Sequence, residues 1–468
     1  MNELLYVLDT KNSVPLYKQL YLFIRNDIRA SIIANNQKLP SKRNLSKFLG
    51  ISQNTVQTAY NQLLEEGYII SIERKGYYVS QLEDIIKYET KIFTDSKIKI
   101  NELPVKYDFS INSVDRSSFP YLIWRKLFKE TINESDETLL QAVGFQGDKN
   151  LRESIAHYLH QSRGVNCSLN QIIISSGTEF LIQFIIQLLG KNVIYGLENP
   201  GYDKLRHVLK MNNSKIIPLS VDSEGISLNN VKINDVNVLC ITPSHQFPTG
   251  TIMPISRRIQ LINWANNSDD RYIIEDDYDS EFKYSGKPIP SLQGLDNNGK
   301  VIYLGSFSKS LAPSIRISYM VLPQSLLQSC YNNLSFMLCS VPLINQKMLN
   351  RFIVEGYFER HLNKMRTIYR RKYDILIQSI LKLNQDIEIF GADAGLHILL
   401  KVNNGMTENE LVEIAHKNGI EVYGITSYYI DQNLNAEYGY ILIGYANLSE
   451  TEISHGISLL GSIWFKES

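Results

Sequence analysis

Apolar residues at Leu16, Leu20, Phe23, Ile24 and Ile28 trace one helical face, with Pro15 just ahead of it, where a missing N–H costs little. A second, short helix is predicted from Ser41 to Leu49. Ser41 caps it, Leu45, Phe48 and Leu49 form its inner face, and Gly50 ends it. Ser52 caps a third helix whose inner face is Val56, Ala59 or Tyr60, Leu63 and Leu64, closed by Gly67. Two helices joined by a glycine turn have the layout of a helix-turn-helix. The run Tyr68–Glu73, the basic turn Arg74-Lys75-Gly76 and then Tyr77-Tyr78-Val79 predict strand, turn and strand, a wing. The third helix turns Gln53, Asn54, Gln57 and Asn61 outward, with Thr55 and Thr58 beside them. Amides pair with adenine edges and hydroxyls with phosphate or base, so this face is predicted to touch DNA.

Beyond residue 80 the pattern changes. Residues 81–106 show mixed charge without sustained periodicity and read as a linker, with a possible helical stub at 82–88. From 107 to 468 short isoleucine- and valine-rich runs alternate with helical patterns, the sign of an α/β body.

The chain has 468 residues, too many for one ordinary core, and its formal net charge is zero. The charge is unevenly placed: residues 1–80 carry ten Lys/Arg against six Asp/Glu, a balance of +4 that the remainder offsets. A basic head on an acidic body suits a head that meets nucleic acid. The four cysteines, Cys167, Cys240, Cys330 and Cys339, form no close pair, so no metal site is expected and a reducing compartment is. The first residues lack the basic-then-apolar signature of a leader, and no apolar run reaches a membrane span. A cytoplasmic location with no membrane contact is expected.

The body's motifs specify chemistry. The strand Val301–Gly305 runs into Ser306-Phe307-Ser308-Lys309-Ser310, with Arg316 seven residues past the lysine. Ser306, Ser308 and Arg316 can hold a dianionic phosphate, and Lys309 can form a Schiff base with an aldehyde. Pyridoxal phosphate also needs a carboxylate at its ring nitrogen to keep the ring an electron sink, and Asp276 ends an isoleucine-rich strand. Ile172-Ile173-Ile174 leads into Ser175-Ser176-Gly177-Thr178 and an apolar helix, a strand-turn-helix anion site. Tyr202 follows another apolar strand and offers a ring to stack on a planar cofactor. The loop Pro243–Gly250 follows the strand Val238–Ile241.

Two resemblances follow from these strings. KLPSKRNLSKFLGISQNTVQTAYNQLLEEGYIISIERKGYYV resembles the GntR-type winged helix, which implies phosphate contact by Arg43, entry of Ser52, Gln53, Asn54 and Thr55 into the groove, and a wing tip at Gly76 beside Lys75. SGT, NPGY, TPSHQFPTG, EDDYDSEF and GSFSKSLAPSIRISY occur in the order seen in fold-type I aminotransferases, over roughly 107–465. The combination is similar to the MocR/GabR-type subfamily of GntR transcription regulators. It implies an N-terminal winged helix-turn-helix (1–80) and a large aminotransferase-like body (107–468), the body having a mixed, mostly parallel sheet and a smaller C-terminal α+β subdomain. It implies that Lys309 carries the cofactor as an internal aldimine, Asp276 pairs with its pyridine nitrogen, Tyr278 bonds its ring hydroxyl and Tyr202 stacks on it. Ser176, Gly177, Thr178, Ser306, Ser308 and Arg316 then surround the phosphate, and the chain forms a homodimer.

The aminotransferase pattern is broken at one place. An amino-acid aminotransferase grips its substrate carboxylate with an arginine, usually C-terminal, and this chain has no arginine after Arg371. GabR-type relatives also use an arginine shortly after the stacking tyrosine. The matching position is Lys204, with Arg206 two further on, so these two are the expected effector contacts. The expected function is a regulator that binds an operator through its head. Its body senses a small amine, an amino acid or pyridoxal phosphate itself by external aldimine formation at Lys309, with binding energy rather than turnover driving the switch. The alternative is an active aminotransferase with an accessory DNA-binding head.

Overall fold

The structure is a computed structural model and describes residues 6–10, 13–81, 104–133, 137–284, 290–391, 394–430 and 439–465. The chain divides into two compact units, 1–100 and 101–468. Most of the expected linker, including the stub at 82–88, lies outside the described residues.

In the first unit α1 (Leu16–Arg29) follows Pro15. Helix α2 (Lys42–Leu49) begins where the Ser41 hydroxyl accepts from the Asn44 amide at 3.2 Å and ends at Gly50, whose φ of 65° is left-handed. Helix α3 (Gln53–Glu65) is capped in the same way by Ser52, which accepts from Thr55 N–H at 3.1 Å. Strands β1 (Ile69–Ile72) and β2 (Gly76–Val79) pair antiparallel and form the wing. Leu20, Ile24, Leu45, Val56, Tyr60 and Leu63 close one small core. Phe48 is a correction to the expected inner face, because it is 45% exposed. Leu45 and Leu49, four apart, take the inward positions of this two-turn helix, and Phe48 falls to the side.

The second unit is built on an eight-stranded sheet. In chain order, a short β3 (Tyr107–Asp108) is followed by β4 (Ile172–Ser175), β5 (Ile194–Asn199), β6 (Lys215–Asp222), β7 (Gly225–Ile226), β8 (Val238–Ile241), β9 (Tyr272–Asp277), β10 (Val301–Ser306) and β11 (Ser318–Val321). Their spatial order is β4-β11-β10-β9-β8-β5-β6-β7. Strands β10, β9, β8, β5 and β6 run parallel, β11 runs against them, and β4 is antiparallel to β11. The central strands are apolar on both faces: β8 is buried at every residue. On one face Ile173, Ile274 and Ile302 pack with Leu181 and Ile185; on the other, Leu239, Ile273 and Val301 pack with Leu261.

The predicted C-terminal α+β subdomain is present. Strands β12 (Ile387–Phe390), β13 (His397–Val402), β15 (Tyr423–Gly424) and β16 (Tyr440–Gly444) form a second sheet ordered β12-β13-β16-β15, and β14 (Ile420–Glu421) pairs with β3. The helices Tyr357–Lys382 and Glu450–Trp464 bury Leu376, Ile380, Ile453 and Ile457 in the core they share with this sheet.

Candidate functional site

Because β4, β5, β8, β9 and β10 point the same way, their carboxyl ends meet at one edge of the sheet, the place where open α/β sheets bind ligands. These ends deliver Thr178, Tyr202, Thr242, Asp276 and Ser306. Strand β11 runs the other way, so it starts at this edge and brings Arg316 with it. A cavity of about 200 Å³ lies there. Nine predicted residues line it: Thr178, Tyr202, Lys204, Asp276, Tyr278, Ser306, Ser308, Lys309 and Arg316. Motifs spread over 139 positions of the chain (178 to 316) thus converge.

The two groups that specify the chemistry are both pulled towards neutrality. Burial lowers the Lys309 ammonium to about 8, opposed by Asp279 and helped by Lys204; its Nζ donates to the Ile111 carbonyl. Burial raises the Asp276 carboxyl to about 7, reinforced by Asp277, Asp279 and Glu179. Alternation along β9 separates the two neighbouring aspartates. Asp276 faces the cavity, while Asp277 turns away, accepting from Arg163 Nε at 2.7 Å and Tyr303 hydroxyl at 2.6 Å. That buried pair fixes the strand end that presents Asp276.

The residues expected to form a phosphate cradle come together at the first turn of α6 (Thr178–Leu189). Gly177 has φ 134°, and a Cβ there would lie 2.1 Å from an Arg316 nitrogen, so only glycine lets the guanidinium approach this helix start. Ser306 Oγ donates to Ser308 Oγ at 2.9 Å. Ser176 stands at the cradle's edge, its N–H donating to Ser340 Oγ at 2.9 Å. Sequence reasoning passed over Glu179, which accepts from Arg316 at 3.0 Å and lies 3.8 Å from Lys204. Burial pushes this carboxyl up, but its own backbone amide, Arg316 and Lys204 outweigh that and hold it below the usual range.

Tyr202 meets Phe247 edge-on, with ring centroids 5.8 Å apart. The Tyr278 hydroxyl donates to the His245 carbonyl at 3.0 Å and lies 3.0 Å from His245 Nδ1. His245, Asp279 and His397 are buried together beside it, their nearest side-chain nitrogen and oxygen atoms within 4.8 Å of one another. None of the three was singled out from sequence, although the TPSHQFPTG and EDDYD strings carry two of them. The expected effector pair divides. Lys204 lines the cavity, but Arg206 does not: it is buried and donates to the carbonyls of Tyr429 at 2.7 Å and Ser427 at 3.4 Å. On α7 (Asp203–Met211), Arg206 lies two residues past Lys204 and so on another side of the helix. It holds the 427–429 turn in place.

In the first unit Arg43, Ser52, Gln53, Asn54, Thr58 and Lys75 are exposed, and Thr55 and Gly76 partly so. Ser52 is engaged as a cap. Thr58 donates to the Asn54 carbonyl at 2.9 Å. Gln57 accepts from Lys42 and donates to Asn61. Lys42, which sequence reasoning left out, thereby joins this face. At the wing tip Arg74 and Gly76 take φ of 61° and 108°.

The residues fit pyridoxal phosphate: an amine with lowered proton affinity, a carboxyl on the cavity wall with no ion pair among the described residues, and an arginine against a glycine-opened helix start. Comparison with known proteins agrees. The family model for aminotransferase class I and II matches residues 105–460, and that for bacterial regulatory proteins of the gntR family matches 16–79. The chain is 40% identical over 96% of its length, and 97% of the relative's, to the uncharacterized HTH-type transcriptional regulator YdeL of Bacillus subtilis. It is 30% identical (97% and 95% covered) to the probable rhizopine catabolism regulatory protein MocR of Rhizobium meliloti. It is 28% identical (96% and 96%) to the pyridoxine biosynthesis transcriptional regulator PdxR of Corynebacterium glutamicum. Among solved structures, the kynurenine aminotransferase of Pyrococcus horikoshii superposes with TM-score 0.69 at 24% identity, covering 77% of this chain and 91% of that one, a likeness of fold. The chain therefore belongs to the MocR-type GntR regulators, a winged-helix DNA-binding head joined to a pyridoxal-phosphate-dependent body of aminotransferase fold.

Proposed function

We propose that the body is a sensor, and that occupancy of the Lys309 cavity by a small amine, an amino acid or the cofactor itself changes the affinity of the head for its operator. One observation carries this reading: Lys309 and Asp276 face one cavity with their ionisations drawn to about 8 and about 7. When bound, pyridoxal phosphate supplies an aldehyde that primary amines add to reversibly. Lys309 would hold that aldehyde, Asp276 would serve the ring nitrogen, Tyr202 the ring face and Tyr278 the ring hydroxyl, and Thr178, Ser306, Ser308 and Arg316 would take the phosphate with Ser176 and Gly177 at their edge. Lys204 is the cation within reach of an effector's acidic group; Arg206 is committed elsewhere.

No turnover is required for such a switch, only a difference in binding energy between two states. A homodimer fits the apolar surface of the body, where Phe180, Phe336 and Leu338 are 52%, 79% and 65% exposed. No helix among the described residues is long and apolar enough to cross a membrane. A protein that binds operators works where the chromosome is, so we place it in the cytoplasm. The test is a visible absorption spectrum of wild type and Lys309→Ala with pyridoxal phosphate added. The sensor reading expects a cofactor band in wild type and none in the variant. A band of equal strength in both would remove Lys309 from the site. Sustained turnover of an amine with a keto acid would favour the enzyme reading.

A further inference from the structure

Behind the cavity wall three segments close on one imidazole. His245 is 1% exposed, and its Nδ1 lies 3.0 Å from Asp279 Oδ2, which is itself 1% exposed. Gly395, at φ 77°, presses its backbone on the pair: a Cβ there would fall 2.1 Å from His245 Cε1 and 2.5 Å from Asp279 Oδ2. Gly250 closes the far side, its Cβ position 3.2 Å from Nε2. These contacts leave the imidazole little room, and its Nδ1 faces both Asp279 and the Tyr278 hydroxyl.

That orientation fixes the proton inventory. A carboxylate only accepts, so the hydrogen on Nδ1 belongs to His245 and points at Asp279. The Tyr278 hydroxyl, 3.0 Å from the same nitrogen, then has its own proton on the His245 carbonyl. A buried phenol that turned this proton towards a ligand would lose its partner, which is costly. Here the phenol oxygen keeps a donor, because the one Nδ1 hydrogen can be shared between Asp279 Oδ2 and the phenol oxygen, each 3.0 Å from the nitrogen.

We propose that His245, held by Asp279, is the positioning residue of the cofactor site: its Nδ1–H stays beside the Tyr278 phenol oxygen, so the phenol keeps a donor when it turns its proton to the cofactor's ring oxygen. The inference rests on the reading of Lys309 and Tyr278 given above. His245 touches neither the cofactor pocket nor Lys309 in this role and acts through the phenol. His397, in ring contact with His245 at 4.8 Å, lines the cavity on the same side. The charged and titratable groups around the phenol and Lys309 are Asp276 and Asp277 from β9, Asp279 just past it, Glu198 from β5, His397 from β13, Lys204 from α7, and Glu179 with Arg316 at the cradle.

The experiment is a pH titration of the visible band of the cofactor-loaded full chain. Tyr278→Phe sets the reference shift of the midpoint. We expect His245→Ala to move the midpoint in the same direction by a comparable amount, and the double variant to add nothing further. His245→Asn, whose amide can donate from the Nδ1 position, should return it towards wild type. A His245→Ala protein that loads the cofactor with the wild-type midpoint, or a shift that adds in full to that of Tyr278→Phe, would overturn the proposal. If His245→Ala leaves Asp279 stranded and does not fold, Asp279→Asn serves. Its shift should shrink by half or more in the Tyr278→Phe background, and an undiminished shift there would overturn the proposal. A wild-type protein with no band at any pH is a separate outcome: it sinks the cofactor reading and this inference with it.

Discussion

The recognition face of the head and the cavity of the body are both polar, yet they are built in opposite ways. The head's face lies on α3 with Arg43 and Lys42 from α2, and its side chains are exposed or half-exposed and partly engaged with one another. The body's cavity draws residues from several strand ends and loops and sets Lys309 and Asp276 at its inner wall, where burial brings them near neutrality. Burial penalises an unmatched charge, so a lysine and an aspartate kept there imply a specific ligand. Exposure carries no such penalty. The helix-turn-helix says that the head meets DNA, but its face does not say which bases.

The largest effect that would sharpen this contrast is in the head. Changing Arg43 and Asn54 together to Ala should lower operator affinity by roughly 30-fold or more, given about 1–3 kcal/mol per contact, while the cofactor band stays intact. Anisotropy titration on an operator fragment reads the first and absorbance the second. Loss of both signals would mean that the two units do not behave separately.

Next comes the body. Asp276→Asn should weaken cofactor binding by about tenfold or more, from loss of the carboxylate facing the ring nitrogen. It should also change the pH dependence of stability in the cofactor-free protein. The folded-state carboxyl sits at about 7, above its unfolded value, so the folded chain holds this proton more tightly. The stability it contributes is present at low pH and is lost as pH rises from about 4 through about 7. The Asn variant lacks that component, so it should be the more stable protein at pH 8, by denaturant titration. An unchanged difference between pH 4 and pH 8 would contradict the burial of Asp276.

The smallest effect is local. Ser52→Ala removes the cap of α3 and should lower stability of the head by about 1 kcal/mol, with a modest loss of operator affinity and no change in the body.

The sequence made the head legible through its caps: Ser41, Gly50 and Ser52 sit where the helices start and stop, because capping is a local hydrogen bond. The residues proposed for the cofactor were legible because they lie at or within a few residues of strand ends, and parallel strands carry their ends to one edge. What stayed hidden depends on contacts between distant segments. His245 and Asp279 are 34 residues apart, and their pairing needs Gly395 from the other subdomain to press on them. Arg206 fits an effector contact by spacing, but the 427–429 turn, more than two hundred residues on, takes its guanidinium. The choice between Asp276 and Asp277 rests on a strand's alternation, which becomes decisive only once Arg163 and Tyr303 are seen on one side.

If the body is a sensor, occupancy of its cavity must change how the head binds its operator. The most direct measurement is operator binding by the full chain, wild type beside Lys309→Ala, titrated without pyridoxal phosphate, with it, and with it plus a panel of primary amines. Wild type should change its operator affinity with at least one of these additions, and Lys309→Ala with none. A wild-type protein that forms the cofactor band yet binds its operator identically under every condition would contradict the sensor reading.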